Sequence, residues 1–142
     1  MQSKTKGNIA IAQAIYYFAN NGYKIFLPVC DDGGKIDMIV SQNGVTLYRV
    51  QCKYTERLHN SMRSKYPERK IYCIDLRQIE KHYNPKGINR TIMKYTEESF
   101  DFLFITTPSD SYLLDWKTIC HNKSHPPTTL CFGKKLSSSK VL

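Results

Sequence analysis

The chain has 142 residues, with 21 lysines and arginines against 12 acidic residues, so its net charge is +9. This length suffices for one domain with a core and excludes two. A hydrophobic fraction of 41% with 12% aromatic residues excludes a disordered chain. The positive charge is spread over both halves, which favours a polyanionic partner, most commonly nucleic acid. A basic protein without such a partner is the alternative that net charge leaves open.

The cysteines and the apolar segments indicate the cellular compartment in which the protein is expected. The cysteines are Cys30, Cys52, Cys73, Cys120 and Cys131. Their number is odd, no Cys-x-x-Cys occurs, and no apolar signal segment precedes them. We therefore predict reduced thiols in an intracellular, cytoplasmic protein. No apolar run is long enough to span a membrane, so no membrane partner is expected.

The first predicted element is an amphipathic helix over residues 6–21. Its predicted buried stripe consists of Ile11, Ile15, Phe18 and Ala19, with Ala14 beside them. Gly22 follows as a left-handed C-cap, which ends the helix.

Strands are predicted next, each rich in β-branched and aromatic residues. They cover residues 23–29, 36–40 and 46–54. Residues 30–35 form a turn or loop, and Asn43-Gly44 is a hairpin signal between the last two strands. A helix followed by a three-stranded meander is therefore expected in the first part of the chain.

The second part of the chain is predicted from shorter signals. Residues 55–69 form a charged loop, and residues 77–99 are polar with weak helical character and a break at 83–89. Further strands are predicted at 70–76, 100–107, 111–116 and 130–132, with a helix beginning near 115 and a flexible tail over 134–142. The element order predicts an α/β sandwich with a central mixed sheet, in one domain over residues 1–142.

Strand alternation divides residues 46–54 into an apolar face and a polar face. The apolar face carries Tyr48, Val50 and Cys52, and the polar face carries Arg49, Gln51 and Lys53. A polar column within a strand that also has an apolar face needs an explanation, because polar groups without partners are costly to bury.

Asp37 joins the polar face only in one register of the hairpin. A two-residue turn would place Asp37 on the apolar face, where a charge is costly. A three-residue loop, residues 42–44 with Gly44 left-handed in a bulge, puts Asp37 opposite Arg49 and diagonal to Gln51. We predict this second register.

The predicted geometry gathers groups that bind a hard cation. Mg²⁺ prefers oxygen ligands, and Asp37, the side-chain oxygen of Gln51 and the backbone carbonyl of Cys52 supply three. Lys53 beside the ion would orient a water or stabilise charge on a phosphoryl oxygen, which suits phosphodiester hydrolysis. The alternative is a structural ion pair of Asp37 with Lys53 or Arg49 on a solvent-facing sheet.

These residues resemble the PD-(D/E)xK nucleases, and among them the homing endonucleases encoded in group I introns. The resemblance covers residues 6–55 and rests on an amphipathic helix ending in Gly-Tyr, then "KIDMIV" and "YRVQCKYT". It implies a restriction-endonuclease-like core, a central mixed sheet flanked by helices. It also implies sequence-specific cleavage of double-stranded DNA with Mg²⁺, for which Mn²⁺ substitutes, by a homodimer or homotetramer.

Carried onto this chain, the resemblance makes Asp37 the central metal ligand and Lys53 the catalytic lysine. Gln51 takes the place of the usual acidic residue. The helix of such nucleases usually contributes a glutamate, and the corresponding position here is Ile11.

The replacement by Ile11 is a departure from the family pattern. Asp31 or Asp32 in the following loop would then have to approach the metal, or the site is weakened. A non-catalytic DNA-binding module on the same fold is therefore a second hypothesis. A third is a basic RNA-binding or assembly protein in which the Asp…Gln-x-Lys pattern is accidental.

Basic residues outside the motif are expected to contact DNA phosphates, and a subset to read guanine edges. They are Arg57, Arg63, Lys65, Arg69, Lys86, Arg90 and Lys94. For each one, a solvated surface charge is the alternative.

The histidines and cysteines give a weaker signal. A zinc set at Cys120, His121, His125 and Cys131 matches no familiar spacing. His59 and His82 are isolated in the sequence and are interpreted as surface histidines. Cys52 has no base partner and is interpreted as a buried thiol.

Overall fold

The computed structural model describes residues 1–30, 34, 36–59, 71–121, 126–132 and 139–142, and only the backbone of residues 78, 80 and 81. The helices in this part of the chain are α1 (Ser3–Asn20) and α2 (Trp116–Cys120). The strands are β1 (Lys24–Phe26), β2 (Met38–Ser41), β3 (Tyr48–Tyr54), β4 (Tyr72–Asp75), β5 (Arg77–Asn84), β6 (Gly87–Lys94), β7 (Phe102–Thr106), β8 (Ser111–Asp115) and β9 (Thr129–Phe132). Most of the predicted charged loop at 55–69 lies outside the described residues.

Helix α1 begins three residues earlier than predicted and buries one stripe. Ala10, Ala14 and Phe18 form the buried centre of that stripe, and Ile11 lies half-buried beside it. Ala19 is exposed, so its place in the predicted stripe was wrong. The left-handed cap is confirmed, because Gly22 has φ 77° and only glycine adopts this conformation without strain.

The central sheet has five strands in the order β1-β2-β3-β7-β8. Strands β3 and β7 are parallel, and the other neighbours are antiparallel. The predicted α/β fold with a central mixed sheet is therefore confirmed, as are the meander β1–β3 and the pairing of β7 with β8.

The register of the β2–β3 hairpin differs from the predicted one by two residues. Ile39, rather than Asp37, pairs with Arg49. This register carries Asp37 opposite Gln51, and the Asp37 N–H donates to the Val50 carbonyl oxygen at 2.9 Å. The predicted pairing was wrong, but the predicted face was right, because a shift of two residues preserves the pleat.

A loop longer than the predicted three residues explains the shift. Asn43 Oδ1 accepts from the N–H groups of Val45 at 2.9 Å and Thr46 at 2.8 Å. Ser41 Oγ accepts from the Gly44 N–H at 2.9 Å. These side-chain bonds replace ladder bonds and stabilise a loop over residues 42–47. Gly44 is left-handed, with φ 77°, as predicted.

Each face of the central sheet is covered by a different layer. Helix α1 covers one face through a cluster of Ala10, Ala14, Phe18, Met38, Val40, Val50, Cys52 and Phe104. Strands β4 and β9 cover the other face through a second cluster that includes Tyr72, Ile74, Leu103, Ile105, Leu114, Leu130 and Phe132. Gln51 and Lys53 pair with Leu103 and Ile105 in the β3–β7 ladder, so the polar column of β3 borders this second core.

Strands β5 and β6 form a separate two-stranded ribbon. The weak helical character predicted for residues 77–99 was wrong, whereas the predicted break at 83–89 is the turn of the ribbon. Ile88 and Ile92 lie on one face of β6, whereas Asn89 and Thr91 lie on the other, because successive side chains of a strand point to opposite faces. A spacing of four residues fits a helix as well as one face of a strand, so the apolar pattern did not identify the strand.

The end of the chain contacts β8. Of the predicted flexible tail, only residues 139–142 are described, and there the Val141 N–H donates to the Ser111 carbonyl oxygen at 2.8 Å. Asp115 caps α2 by accepting from the Thr118 N–H at 2.8 Å, which confirms the helix predicted near residue 115. Within the described ranges, no helix combines the length and the apolar character needed to cross a membrane.

Candidate metal centre

The carboxylate of Asp37 is fixed against the end of β3 by two donors. Asp37 Oδ2 accepts from Gln51 Nε2 at 2.7 Å and from the Cys52 N–H at 2.7 Å. The second donor is a backbone group, so the position of the carboxylate follows the strand itself. The structure therefore brings together Asp37 and Gln51, as the sequence predicted for the polar face.

Gln51 carries an unsatisfied acceptor next to this carboxylate. The side chain is only 8% exposed, and its Nε2 also donates to the Cys52 carbonyl oxygen at 3.2 Å. Its Oε1 is buried and has no hydrogen-bond partner among the described residues. Such an orphan acceptor destabilises a fold by about 1–3 kcal/mol. A hard cation satisfies it, because carboxylate, amide and carbonyl oxygens are the ligands that Mg²⁺ takes.

Lys53 lies two residues after Gln51 on the same face of β3, and its ammonium is partly buried near an aromatic ring and two carboxylates. Burial lowers the pKa of its ammonium, and the carboxylates of Asp75 and Asp37 oppose that shift. Lys53 Nζ lies 5.1 Å from the centroid of the Tyr95 ring, in a cation–π contact. The ammonium is thus held between an aromatic face and the field of two carboxylates.

Asp75 and Tyr95 are members of this site that sequence reasoning missed. Tyr95 is 4% exposed, and burial, with smaller effects of Asp37 and Asp75, raises its pKa to about 12. The Arg77 guanidinium, which binds Asp75 at 2.8 and 2.9 Å, holds the pKa of that carboxyl below its usual value, and Lys53 adds to this. Tertiary packing brings both residues near Lys53, and no local sequence motif predicts this.

Ile11 lies on the other side of β3. It packs against the cluster that contains Val50 and Cys52, whereas Gln51 and Lys53 point to the opposite face. Its correspondence to a family glutamate stays a prediction. Cys52 is buried, which confirms the predicted buried thiol, and that burial, with a smaller effect of Asp37, raises the pKa of the thiol well above its ordinary value.

The predicted DNA-contacting residues are only partly described. Arg57, Lys86, Arg90 and Lys94 are exposed, with the last three on the β5–β6 ribbon. Arg63, Lys65 and Arg69 lie outside the described residues, as do Asp31 and Asp32. The exposed positions are compatible with phosphate contacts, but no structural feature separates them from ordinary surface charges.

The zinc set suggested by residues 120–131 is not formed by its described members. Cys131 lies beside Cys73, with the sulfur atoms 2.8 Å apart, and groups with His59 rather than with Cys120 and His121. His125 lies outside the described residues.

Known proteins resemble this chain in sequence profile and in fold. The sequence matches the profile of the PD-(D/E)XK endonucleases over residues 1–128. The fold is similar to the solved structure of a bacterial homing endonuclease, I-Ssp6803I, with a TM-score of 0.66 and 19% sequence identity, covering 93% of this chain and 78% of that chain. At this identity the likeness shows the fold alone. No curated protein sequence matches significantly.

Proposed function

The chain belongs to the PD-(D/E)XK endonuclease family, and from this premise we propose that it is a sequence-specific endonuclease that hydrolyses phosphodiesters of double-stranded DNA. The observation that carries the proposal is the buried, unpartnered Oε1 of Gln51, which lies beside the Asp37 carboxylate on the face that also carries Lys53. Such an enzyme acts in the compartment that holds its DNA, the cytoplasm of a bacterial-type host.

The cation of this enzyme is proposed to be Mg²⁺, with Mn²⁺ as a substitute. Nucleases of this family typically use divalent metal ions, and the oxygen donors here are hard ligands. Asp37, Gln51 Oε1 and the Cys52 carbonyl oxygen would hold the ion. When bound, it supplies Lewis-acid stabilisation of negative charge and lowers the pKa of a water nucleophile.

The protein residues contribute position and charge. The Cys52 N–H and Gln51 Nε2 orient the Asp37 carboxylate before substrate arrives, so this orientation requires no reorganisation during the reaction. The Lys53 ammonium stabilises negative charge that develops on the phosphoryl oxygens, the Tyr95 ring contacts it, and the charge of Asp75 favours its protonated form. Attack by water on the phosphodiester would leave a 3′-hydroxyl and a 5′-phosphate.

The β5–β6 ribbon is proposed to contact DNA. A two-stranded β-ribbon fits the major groove of B-DNA, and this one pairs with no other strand in the described part of the chain. Lys86 lies at its turn, and Arg90 and Lys94 share one face of β6. Their exposed cations would contact phosphates or guanine edges, as proposed also for Arg57 and for the basic residues between 60 and 70.

An oligomer follows from the chemistry of a double-strand break. One chain carries one Asp37–Lys53 centre, so cutting both strands of a duplex calls for two copies, as in a homodimer or homotetramer. The exposed apolar row of Ile79, Tyr83, Ile88 and Ile92 lies on the same face of the ribbon as Arg90 and Lys94, so it belongs to the proposed DNA-facing surface.

A second candidate function is a DNA-binding module without catalysis. Ile11 and Gln51 favour it, because both are neutral where the family pattern has acidic residues. Among the described residues of the motif, Asp37 is therefore the one carboxylate that could bind the cation. A hard divalent ion binds weakly to a single anionic ligand.

The test is cleavage of a duplex DNA library with Mg²⁺ and then Mn²⁺. We compare the unaltered chain with Ile11→Glu, Ile11→Gln and Lys53→Ala. The endonuclease proposal expects discrete cuts that disappear in Lys53→Ala. Because Ile11 packs on the opposite side of β3 from Gln51, cuts made by Ile11→Glu but not by Ile11→Gln would show that a carboxylate there reaches the cation past the end of the strand and that the unaltered site is weakened without it. Duplex binding by every variant without any cut supports the DNA-binding module, and no duplex binding at low salt contradicts both.

A further inference from the structure

A group of three soft ligands lies on the layer formed by β4 and β9, apart from the Asp37 centre. The imidazole of His59 and the thiols of Cys73 and Cys131 place one ligand atom each within 4.8 Å of one another. They come from three segments, the stretch after β3, strand β4 and strand β9. None of the three belongs to the Asp…Gln-x-Lys pattern.

Backbone pairing explains why these side chains meet. Strand β9 pairs antiparallel with β4, and Cys131 lies opposite Cys73. On the other edge of β4, Leu58 bridges to Tyr72, and the His59 N–H donates to the Ile71 carbonyl oxygen at 2.9 Å. Three adjacent backbone segments therefore hold the group at neighbouring positions.

Alternation then places the group on the face away from the second core. Leu58, Tyr72 and Leu130 belong to or pack against that core, so their sequence neighbours His59, Cys73 and Cys131 point away from it. Cys131 is exposed there, His59 is half-buried and Cys73 is buried. The core on the inner face accounts for the packing of this layer, but it does not account for the convergence of an imidazole and two thiols on the outer face.

We propose that His59, Cys73 and Cys131 form a zinc site. Thiolate and imidazole are the ligands that zinc prefers over hard cations such as Mg²⁺. With Zn–S near 2.3 Å and Zn–N near 2.0–2.1 Å, tetrahedral coordination separates ligand atoms by about 3.3–3.8 Å. The two sulfurs lie 2.8 Å apart, and rotation of the exposed Cys131 side chain opens this distance by the required ~1 Å. Three protein ligands leave the fourth position for water.

The site would tie the stretch after β3 and strand β9 to β4. Thr55 Oγ1 already donates to the Cys73 carbonyl oxygen at 2.7 Å, and the Cys73 N–H donates to the Arg57 carbonyl oxygen at 2.8 Å. Asp75, which influences Lys53, follows Cys73 by two residues on the same strand. Zinc would therefore stabilise the layer that supports the Lys53 side of the catalytic centre, while taking no part in catalysis itself.

Metal analysis of the full chain tests the proposal. The protein is purified with a tag that contains no histidine, and its zinc is measured by mass spectrometry after removal of loosely bound metal. The proposal expects about one zinc per chain, falling below about a tenth in Cys131→Ser and in His59→Ala. The matched controls Cys30→Ser, an exposed cysteine outside the group, and His82→Ala retain the metal.

Cobalt titration of the unaltered chain gives a second measurement that does not depend on the folding of any variant. One equivalent of Co²⁺ should produce a thiolate-to-cobalt charge-transfer band together with the visible bands of four-coordinate cobalt. Absence of zinc and of these bands overturns the proposal, as does zinc that persists in both Cys131→Ser and His59→Ala. Metal-free protein in which Cys73 and Cys131 form a disulfide in air also overturns it and makes the pair a redox pair instead.

Discussion

The two faces of β3 come from one seven-residue strand and differ in what they pack against. Val50 and Cys52 face α1 in a closed apolar cluster. Gln51 and Lys53 face the other way, where one side chain has an unpartnered buried oxygen and the other carries a desolvated ammonium. The apolar face is therefore packed for stability, whereas the polar face retains buried polar groups that cost stability, as expected of the proposed cation site.

The largest expected effect is the loss of cleavage activity when Asp37 of the polar face is replaced. Asp37→Asn keeps the size of the side chain but removes the anionic oxygen of the cation site, so Mg²⁺-dependent cleavage should fall by about 10²–10³-fold. Initial rates on a cleaved duplex, measured with Mg²⁺ titrated to saturation, check this. Asp110→Asn, in the turn between β7 and β8, is the control. Equal rates in both variants would contradict a role for Asp37.

The apolar cluster that covers Val50 and Cys52 depends most on Phe104 of β7, which pairs with Cys52 and is fully buried between α1 and the sheet. Phe104→Ala should lower the free energy of unfolding by about 3–5 kcal/mol, because it removes apolar contacts and leaves a cavity. Urea denaturation measures the change, with Phe26→Ala, at a half-exposed phenylalanine of β1, as the control. A loss for Phe104→Ala no larger than for Phe26→Ala would contradict the assignment of this face to the core.

Gln51→Glu tests whether the polar face binds a cation, because it adds a carboxylate opposite Asp37. Without a divalent cation the variant loses the Gln51 Nε2 hydrogen bond to Asp37 and gains repulsion, so it should unfold more easily by about 1–2 kcal/mol. With Mg²⁺ the melting temperature should rise more than in the unaltered chain. Gln51→Leu, which has neither ligand nor charge, should show no such rise. An equal rise in melting temperature with Mg²⁺ in all three proteins would contradict a cation site at Gln51.

The smallest expected effect concerns Arg49, the first residue of β3 on its polar face. Arg49 binds Asp101 through Nε and Nη2, each at 3.1 Å, and this lowers the pKa of Asp101. A carboxyl whose pKa is lower in the folded state stabilises the fold above its unfolded pKa and loses this contribution as the pH falls through the folded value. The stability of the unaltered chain should therefore fall more steeply below about pH 4 than that of Asp101→Asn. Urea midpoints from pH 6 to pH 3 measure this, and parallel curves would contradict it.

The division of β3 into two faces was predictable, because it depends only on alternation. The same holds for Asp37: the predicted register was wrong by two residues, yet its face was right, since the pleat repeats every two residues. The hairpin loop itself was not predictable, because its length depends on side-chain bonds from Asn43 and Ser41.

Contacts between distant segments were not predictable from local pattern. Asp75 and Tyr95 reach Lys53 only because β4 and the segment after β6 pack beside β3. His59, Cys73 and Cys131 likewise meet through strand pairing over long separations. The β5–β6 ribbon was missed for a different reason, because its exposed apolar residues, Ile79, Tyr83, Ile88 and Ile92, are spaced four apart within each strand, which fits a helix as well as one face of a strand.

The most direct test of the central claim is to measure cleavage and stability together in Lys53→Met. Methionine fills a similar volume without a charge to desolvate. We predict that Mg²⁺-dependent cleavage of duplex DNA falls by at least about a hundredfold, while the melting temperature of the same sample stays constant or rises. Retained cleavage, or a melting temperature that falls together with the activity, would contradict the separation of chemistry and stability between the two faces of β3.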